Sequence, residues 1–467
     1  MSDTAEQVTG AERQQAGGSG PNRPGLALTL LAACALILVL DTTVVYVALP
    51  QIQDDLGMGA DLVWVVNAYA LAFGGFMLLG GRAGDIVGQR RVLLVGLAVF
   101  GVASLVCGVA NGGEMLIAAR AAQGLGAALA APTSLSLIAT NFADGPARAK
   151  AIGVYTGVAA AGGTLGLILG GVLSDAASWP WVFFINVPVV ALVLLLAPRA
   201  LKESQPQRGS LDVVGGITAT GAMVALVYAL VRTSTAGWGD PIVLACFVAA
   251  AVLFTVLVLV ERRAPQPLLP LRLFTDRARA SGFVTLLFFP AAFAGMFFFL
   301  TQYLQGVWSY SALRTGFAFF PTAVLVLVAA ILTGQLVPRL GASVVAAIGG
   351  ALTAVAMIWL AQFSTDGSYA TSLLGPLLLG GVGAGLVFAS GTAAIMSNVA
   401  PEVTGAASSV LQAVQQVGPA LGLAVLVTAA GAPADPVEGM RRAFWVAALI
   451  AVLAAVLALV GRQRRAA

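Results

Sequence analysis

Apolar runs of about 20 residues, the length at which an α-helix crosses the hydrocarbon core of a bilayer, alternate with short polar breaks along almost the whole chain. Each run therefore predicts one membrane-spanning helix, and the sequence contains fourteen such runs. The predicted spans are residues 26–49, 61–80, 92–110, 114–140, 148–173, 181–199, 212–231, 241–261, 281–304, 311–336, 342–361, 370–396, 404–428 and 442–461.

The segment before the first span is polar. Residues 1–25 are rich in Gly, Gln and Ser, a composition that predicts a disordered tail. The apolar run that follows is longer than the core of a secretory signal peptide, which has about 7–15 residues. We therefore expect this run to remain as a permanent first helix.

The composition also favours a membrane protein. Apolar residues make up 59% of the 467 residues and charged residues 9%, whereas soluble proteins carry about 25% charged residues. So few charges cannot cover a water-soluble surface, so we expect an all-α membrane protein embedded in the lipid bilayer. The net charge is +4, and the distribution of the charged residues fits a membrane topology better than a nucleic-acid-binding surface. We therefore expect no nucleic-acid partner.

Several kinds of chemistry are disfavoured by what the sequence lacks. There is no histidine, and hence no imidazole base, proton relay or metal ligand. Cys34, Cys107 and Cys246 are far apart within apolar runs, which is typical of buried apolar side chains rather than of a zinc site or a disulfide. We expect neither an enzyme nor a receptor scaffold, and neither a metal nor an organic cofactor.

Basic residues are concentrated on one side of the predicted helices. Most of the 24 Lys and Arg residues lie in the two tails and the even-numbered connections, whereas odd-numbered connections carry acids such as Asp54, Asp175 and Asp240. Positively charged connections remain in the cytoplasm. We therefore expect a multi-pass protein of the cell (plasma) membrane with cytoplasmic termini, including the tail at residues 462–467.

A repeat divides the chain into two halves. Gly124-Leu-Gly-Ala-Ala-Leu in the fourth span recurs as Gly381-Val-Gly-Ala-Gly-Leu in the twelfth. Parallel repeats of this kind are typical of one large transporter fold. We predict two homologous six-helix bundles, residues 26–200 and 280–461, joined by a linker at residues 201–279 that contains two inserted transmembrane helices.

Two charged side chains lie deep inside predicted spans, Asp41 in the first and Arg120 in the fourth. Such a charge costs about 2.5–3.5 kcal/mol at the centre of a transmembrane helix. Both residues lie roughly 13 Å below the same boundary, at a rise of about 1.5 Å per residue. We interpret them as a proton-accepting carboxylate beside a permanent cation. A buried ion pair that only fixes helix packing is the alternative.

The connection after the second span combines glycines with charged residues, Gly81-Arg-Ala-Gly-Asp85-Ile-Val-Gly88-Gln-Arg90-Arg91. The glycines permit a tight turn and close helix approach. The acid is suited to binding a helix N-terminus or an arginine, and so to acting as a conformational latch. A positively charged turn with an incidental acid is the alternative.

The fifth span contains regularly spaced glycines. Those at 162, 166 and 170 form a small-residue ridge on which another helix can pack. The spacing leaves open whether the contact is static or a sliding hinge. The candidate residues are Gly153, Gly162, Gly166, Gly170 and Gly171.

Together these motifs resemble the major facilitator superfamily, and within it the fourteen-helix drug:proton antiporter family. Residues 81–91 resemble the superfamily signature G-x-x-x-D-x-x-G-x-R, and residues 116–128 resemble the helix-four signature R-x-x-Q-G-x-G-x-A. Residues 40–50 resemble the family's signature in the first helix, and residues 179–188 resemble its signature before the sixth helix. The glycines of the fifth span have the spacing of the antiporter signature. The resemblance covers nearly the whole chain from residue 26.

Three positions depart from the family pattern. Leu167 replaces the usual proline of the antiporter signature, which removes a helix kink. Tyr46 stands where the first-helix signature has asparagine, and Ile86 stands where a basic residue usually follows the acid.

The resemblance implies alternating access between the two bundles, with proton entry driving substrate exit. It assigns the coupling to Asp41 and Arg120, with the proton as the coupling ion. Because the last six spans contain no interior acid, we expect one proton per cycle.

Polar and aromatic residues that are able to face a central cavity give a sketch of the substrate site. An apolar cavity with few polar groups suits amphipathic organic molecules. We expect a monomer that exports neutral or monovalent cationic lipophilic compounds such as drugs or antibiotics; an endogenous metabolite or a siderophore is the alternative cargo. The candidate cavity residues are Tyr46, Asn67, Tyr69, Gln123, Phe293, Phe297, Gln302, Tyr303, Gln305, Gln412 and Gln416.

Overall fold

The computed structural model describes residues 23–461 except 59, 206–212, 263–270, 363–366, 398, 401–402 and 432–435. Almost all of the predicted N-terminal tail, and the whole of the C-terminal tail, therefore lie outside the described residues. The described chain is helical. Its long helices are α1 (Pro24–Leu56), α2 (Trp64–Val87), α3 (Gln89–Gly108), α4 (Gly113–Asn141), α5 (Pro146–Ala176), α6 (Trp181–Ala200, interrupted at Ile185), α7 (Val213–Ala236), α8 (Pro241–Glu261), α9 (Arg277–Gly306), α10 (Ala312–Leu340), α11 (Ala342–Leu360), α12 (Leu374–Met396, after a π-turn at Tyr369–Leu373), α13 (Thr404–Ala430) and α14 (Pro436–Val460).

Twelve helices among the described residues are long and apolar enough to cross a membrane. The helices α5 and α7 are not among these twelve, and the apolar stretch of α7 is the shorter segment Gly215–Leu230. The prediction of an all-helical membrane protein is confirmed, whereas fourteen crossings stay a prediction.

The segment at residues 81–91 was expected to be a connection, and the structure corrects this. Helix α2 continues to Val87 and α3 begins at Gln89, so only Gly88 separates them. Its φ angle of 114° favours glycine. The helix continues because this end of α2 is buried against α4 and α13. Buried charged side chains therefore occur near helix ends as well as at mid-span. Those near helix ends are Arg82, Asp85 and Glu261.

The helices pack in two groups with close contacts between them. Helices α1 to α6 pack on one another, and so do α9 to α14. The groups meet where α5 lies along α10 and where α2 and α4 lie against α13. Helices α7 and α8 pair with each other, and α7 also lies against α2 and α13.

The repeated glycine motif makes the same contacts in both groups. Gly124 and Gly126 pack α4 against the backbones of α2 and α3, respectively. Gly381 and Gly383 pack α12 against the backbones of α10 and α11 in the same way. A Cβ atom at any of these positions would meet the neighbouring backbone, so the motif serves close helix packing.

Successive helices run in opposite directions, so their connections alternate between two faces. We call the face that carries Gly88 and the ends of α6 and α14 the proximal face. The opposite face, which carries the α1–α2 and α7–α8 connections, is the distal face.

Candidate functional site

Asp41 of α1 and Arg120 of α4 form an ion pair inside the first group of helices. The Nη1 atom of Arg120 donates to Oδ2 of Asp41 at 2.6 Å. The side chain of Asp41 is 0% exposed and that of Arg120 is 1% exposed. Their predicted proximity is therefore present in the structure.

The Asp41 carboxylate also accepts hydrogen bonds from two side-chain amides. Its Oδ1 atom accepts from Nε2 of Gln123 at 2.7 Å and from Nδ2 of Asn186 at 2.8 Å. The Gln123 amide in turn donates to Ser104 and accepts from Arg120. Three side-chain donors therefore converge on one carboxylate. We call Asp41, Ser104, Arg120, Gln123 and Asn186 the charge network.

The backbone and two aromatic rings fix the guanidinium of Arg120. Its Nε atom donates to the backbone carbonyl of Val65 at 2.8 Å. The centroids of the Tyr69 and Phe183 rings lie 4.4 Å and 5.8 Å from its Cζ atom. Such cation–π contacts stabilise a desolvated cation by about 2 kcal/mol or more. The network thus joins α1, α2, α3, α4 and α6 at one buried point.

The glycine ridge of α5 holds α1 in the position that the network requires. A Cβ atom at Gly162, Gly166 or Gly170 would meet residues 36 to 44 of α1, on either side of Asp41. Gly153 and Gly171 instead face α10. Helix α5 is continuous through residue 167, whose side chain is outside the described part of the structure. One edge of α5 therefore packs within its own group, and another packs against the opposite group.

Two cavities lie between the groups of helices. A central cavity of about 240 Å³ is bounded by α1, α2, α4, α5, α9, α12 and α13, and a distal cavity of about 520 Å³ by α1, α2, α7, α9 and α13. Both are lined by Gln416 and Pro419. The central cavity is also lined by Phe73, Tyr155, Thr392 and Gln412. The Oγ1 atom of Thr392 has no hydrogen-bond partner among the described residues.

The structure places four of the predicted cavity residues in these cavities. Tyr46 and Asn67 line the distal cavity, Gln412 lines the central one, and Gln416 lines both. The other predicted residues lie elsewhere. Tyr69 and Gln123 are buried at the charge network, Phe293 and Phe297 belong to an aromatic cluster beside the central cavity, Tyr303 is buried against Trp308, and Gln302 and Gln305 are exposed.

The proximal face carries direct contacts between the two groups. The Oδ1 atom of Asp85 accepts from the backbone N–H of Gly405 at 3.0 Å and from Nε2 of Gln89 at 2.8 Å. Ser136 of α4 donates to Ser408 of α13 at 2.8 Å. The predicted latch acid thus meets a helix N-terminus of the opposite group.

The arginines of the same segment bind a different partner. Glu203, in the connection after α6, accepts from the backbone N–H groups of Arg90 and Arg91 at 2.8 Å and 3.2 Å. Its carboxylate also lies 3.6 Å and 4.0 Å from the two guanidinium groups. A Cβ atom at Gly88 would meet the same carboxylate. This cluster ties α3 to the connection that leads to α7.

Comparisons with known proteins agree with this architecture. The profile of the Major Facilitator Superfamily matches residues 31–423. The chain is 39% identical over 453 residues to the puromycin resistance protein pur8 of Streptomyces alboniger, covering 93% of this chain and 90% of that protein. It is 40% identical over 420 residues to the cephamycin export protein CmcT of Amycolatopsis lactamdurans, covering 88% and 86%. The solved structure of the human organic anion transporter MFSD10 has the same fold, with a TM-score of 0.68 at 16% identity over 94% of this chain and 100% of that one.

A multi-span helical protein with this fold is a membrane transporter and not an enzyme. The chain belongs to the Major Facilitator Superfamily. The family predicted from the sequence motifs is confirmed.

Several site residues escaped the sequence analysis. Asn186 lies within residues 179–188, and a single amide near the start of an otherwise apolar span is the sequence signal that marks it. Ser104 and Thr392 resemble the many other hydroxyl residues of the spans, so nothing local distinguishes them. Glu203 was missed because its partners lie more than a hundred residues away.

Proposed function

We propose that this chain is a proton-coupled antiporter that exports lipophilic small molecules by alternating access. It acts in the cell membrane, with the proximal face in the cytoplasm. The chain crosses the bilayer fourteen times, as two six-helix bundles (residues 26–200 and 280–461) with α7 and α8 inserted between them. Export of drugs or antibiotics is supported by the relatives, one named for puromycin resistance and one for cephamycin export.

The observation that carries the proposal is the buried pair of Asp41 and Arg120 beside a cavity. Residues 38, 39 and 42, on either side of Asp41 along α1, line the central cavity. Protonation of the carboxylate removes its charge and weakens its attraction to the guanidinium. Rotation of the Asn186 amide then supplies an acceptor for the new proton, since its Oδ1 atom has no partner among the described residues. The network therefore has one arrangement for each protonation state.

A short chain of aromatic contacts links the central cavity to this network. Phe73 lines the cavity, and its ring centroid lies 5.6 Å from that of Tyr69. The Tyr69 ring lies in turn over the guanidinium of Arg120. A substrate that displaces Phe73 therefore disturbs the contact that holds Arg120 against Asp41. Substrate binding and protonation therefore both act on the same ion pair.

The proximal contacts close the proximal face and so define the conformational state. The groups are joined at the proximal face by Asp85 and by the pair of Ser136 and Ser408, whereas the larger cavity lies toward the distal face. With the proximal face in the cytoplasm, this is the outward-directed state of the cycle. Return to the opposite state requires these contacts to break.

The cavity linings fit amphipathic substrates, neutral or with one positive charge. Aromatic and aliphatic side chains predominate, with amide and hydroxyl groups from Thr392, Gln412 and Gln416. Among the described residues, no carboxylate lines either cavity. One chain supplies both cavities and the whole charge network, so we propose that the monomer is the working unit.

The proposal is tested by dye efflux from vesicles that contain the purified protein. A panel of lipophilic fluorescent dyes is offered with an imposed proton gradient, with and without an uncoupler. The wild-type protein should move at least one dye against its gradient, and the uncoupler should abolish this. Asp41→Asn should lose gradient-driven transport, while Asp61→Asn, an exposed acid of the α1–α2 connection, should keep it. Proton coupling that survives in Asp41→Asn would contradict the proposal.

A further inference from the structure

Helix α7 occupies the space between α2 and α13 on the distal side of their direct contacts. Gly74 and Gly75 of α2 admit the side chains of Val227 and Val224 of α7, respectively. Beyond the end of α7, Trp238 donates its Nε1–H to Oγ1 of Thr428 in α13 at 2.8 Å. An inserted helix thus contacts both groups beside the distal cavity.

One side of α7 forms part of the cavity wall. Val227, Tyr228 and Arg232 all line the distal cavity. The Tyr228 ring is stacked on Trp64 of α2, with centroids 6.3 Å apart and planes at 21°. Two aromatic side chains of the cavity wall thus come from different helices.

The polar groups of this wall have a defined character. The guanidinium of Arg232 binds both carboxylate oxygens of Asp240, at 3.0 Å and 3.3 Å. The pair is close to neutral overall, and the bidentate geometry fixes the guanidinium. Asn67 of α2 and Gln416 of α13 add amide groups to the same cavity. A planar molecule seated here would meet aromatic faces and amide or guanidinium donors.

We propose that α7 supplies a second binding subsite, in which Tyr228 and Trp64 bind a planar aromatic ring system that carries oxygen acceptors. This inference rests on the proposed function and extends it. The distal cavity adjoins the central one at Gln416 and Pro419, so one elongated molecule is able to occupy both. The linker helix then determines which substrates are preferred.

Two probes of similar charge but different shape separate this subsite from general binding. Daunorubicin is a fluorescent monoamine built on a planar, oxygen-substituted ring system, whereas lincomycin is a monoamine without an aromatic ring. Binding of daunorubicin to the purified full-length protein is followed by its fluorescence, and binding of lincomycin by calorimetry. Transport of both probes is measured separately in vesicles.

Tyr228→Ala should weaken daunorubicin binding about 3- to 10-fold, the effect of one aromatic contact, and leave lincomycin binding within a factor of two. Tyr228→Phe should bind both probes as the wild type does, which shows that the site tolerates substitution. Ile217→Ala, at a 69% exposed position of the same helix, is the matched control. An equal effect on both probes, an unchanged affinity for daunorubicin, or no binding by the wild type would overturn the subsite. Intact, Tyr228-dependent binding without proton-driven transport would instead overturn the proposed function alone.

Discussion

The carboxylate of Asp85 accepts a hydrogen bond from the backbone N–H of Gly405, 3.0 Å away in space and 320 positions further along the chain. The amide belongs to the first turn of α13, where unpaired N–H groups carry a partial positive charge. A Cβ atom at Gly405 would meet the backbone of Gly81 and the carboxylate itself. This contact therefore depends on a charge on one group of helices and a glycine on the other.

Asp85→Asn should weaken the closed proximal face. The amide still accepts a hydrogen bond but loses the charge that favours a helix N-terminus, an interaction of about 0.3–2 kcal/mol. The population open at the proximal face should rise by up to roughly 30-fold, since about 1.4 kcal/mol corresponds to a factor of ten. The measurement is the alkylation rate of a single cysteine at Ser136, which is fully buried here, in a protein without its three native cysteines.

The control for this experiment is Asp144→Asn. Asp144 carries the same charge on the same face, pairs with Arg148 and is 74% exposed. Exposed pairs contribute little, so alkylation should proceed as in the wild-type background. Equal rates in the Asp85 and Asp144 variants would show that the Asp85 contact does not control the opening.

The pair of Asp41 and Arg120 should behave as one unit when it is removed. Loss of either partner leaves an uncompensated buried charge and costs about 3–5 kcal/mol. Asp41→Asn and Arg120→Gln should each lower the melting temperature, while the double variant should recover most of the loss. The test is thermal unfolding in detergent combined with gradient-driven transport. The double variant should be stable yet uncoupled; if it is stable and still coupled, the pair has only a structural role.

Much of this site could be predicted from the sequence because depth along a helix is a local property. Asp41 and Arg120 were placed at similar depths and do meet. Gln123, by contrast, was assigned to the substrate cavity, whereas it lies one turn from Arg120 on the same side of α4 and turns to Asp41. Which side of a helix faces a cavity depends on its neighbours, and these are set by tertiary packing.

The fold could also be predicted only in part from the sequence. Apolar runs predicted the helix positions well. The repeated glycine motif, from which two related bundles were predicted, makes matching contacts in the two groups. The buried end of α2 was predicted as a connection because Arg82, Asp85 and Arg90 are typical of a polar turn. Only the packing of α4 and α13 around it shows why a charged helix end is buried.

Gly166→Ala should disturb the contact between α5 and α1. The added Cβ atom would lie 2.9 Å from the carbonyl oxygen of Leu40 and 3.1 Å from Cβ of Thr43. Overpacking of this kind costs about 1–3 kcal/mol, and the displaced segment carries Asp41. We expect a lower melting temperature and weaker proton coupling. Gly163→Ala is the matched control, because its Cβ atom would meet nothing within 4 Å; similar losses in both variants would contradict a specific contact.

The α7–α8 connection should be sensitive to acid. Arg232 donates to Asp240 and holds the pKa of this carboxyl below its usual range. A lowered pKa in the folded state stabilises the protein above the ordinary value of about 4, and this contribution is lost as the pH falls through the lowered value. The wild type should therefore melt above Asp240→Asn at neutral pH, with the difference shrinking in acid. Asp240→Ala should have a lower melting temperature than the wild type at every pH, because it also removes the N-cap of α8. A difference in melting temperature between the wild type and Asp240→Asn that grows in acid would contradict the assignment.

A disulfide between positions 136 and 408 should stop transport reversibly. The hydroxyl oxygens of Ser136 and Ser408 are 2.8 Å apart across the proximal interface, so two cysteines there are close enough to be tested for bridging. Alternating access requires these positions to separate in each cycle, and a covalent bond prevents this. In the background without native cysteines, oxidation of the double variant Ser136→Cys/Ser408→Cys should abolish dye efflux, and a reductant should restore it. Each single-cysteine variant should be insensitive to the oxidant. Full transport by a protein shown by mass spectrometry to be cross-linked would mean that the proximal interface stays closed throughout the cycle, and the alternating-access proposal would then be wrong.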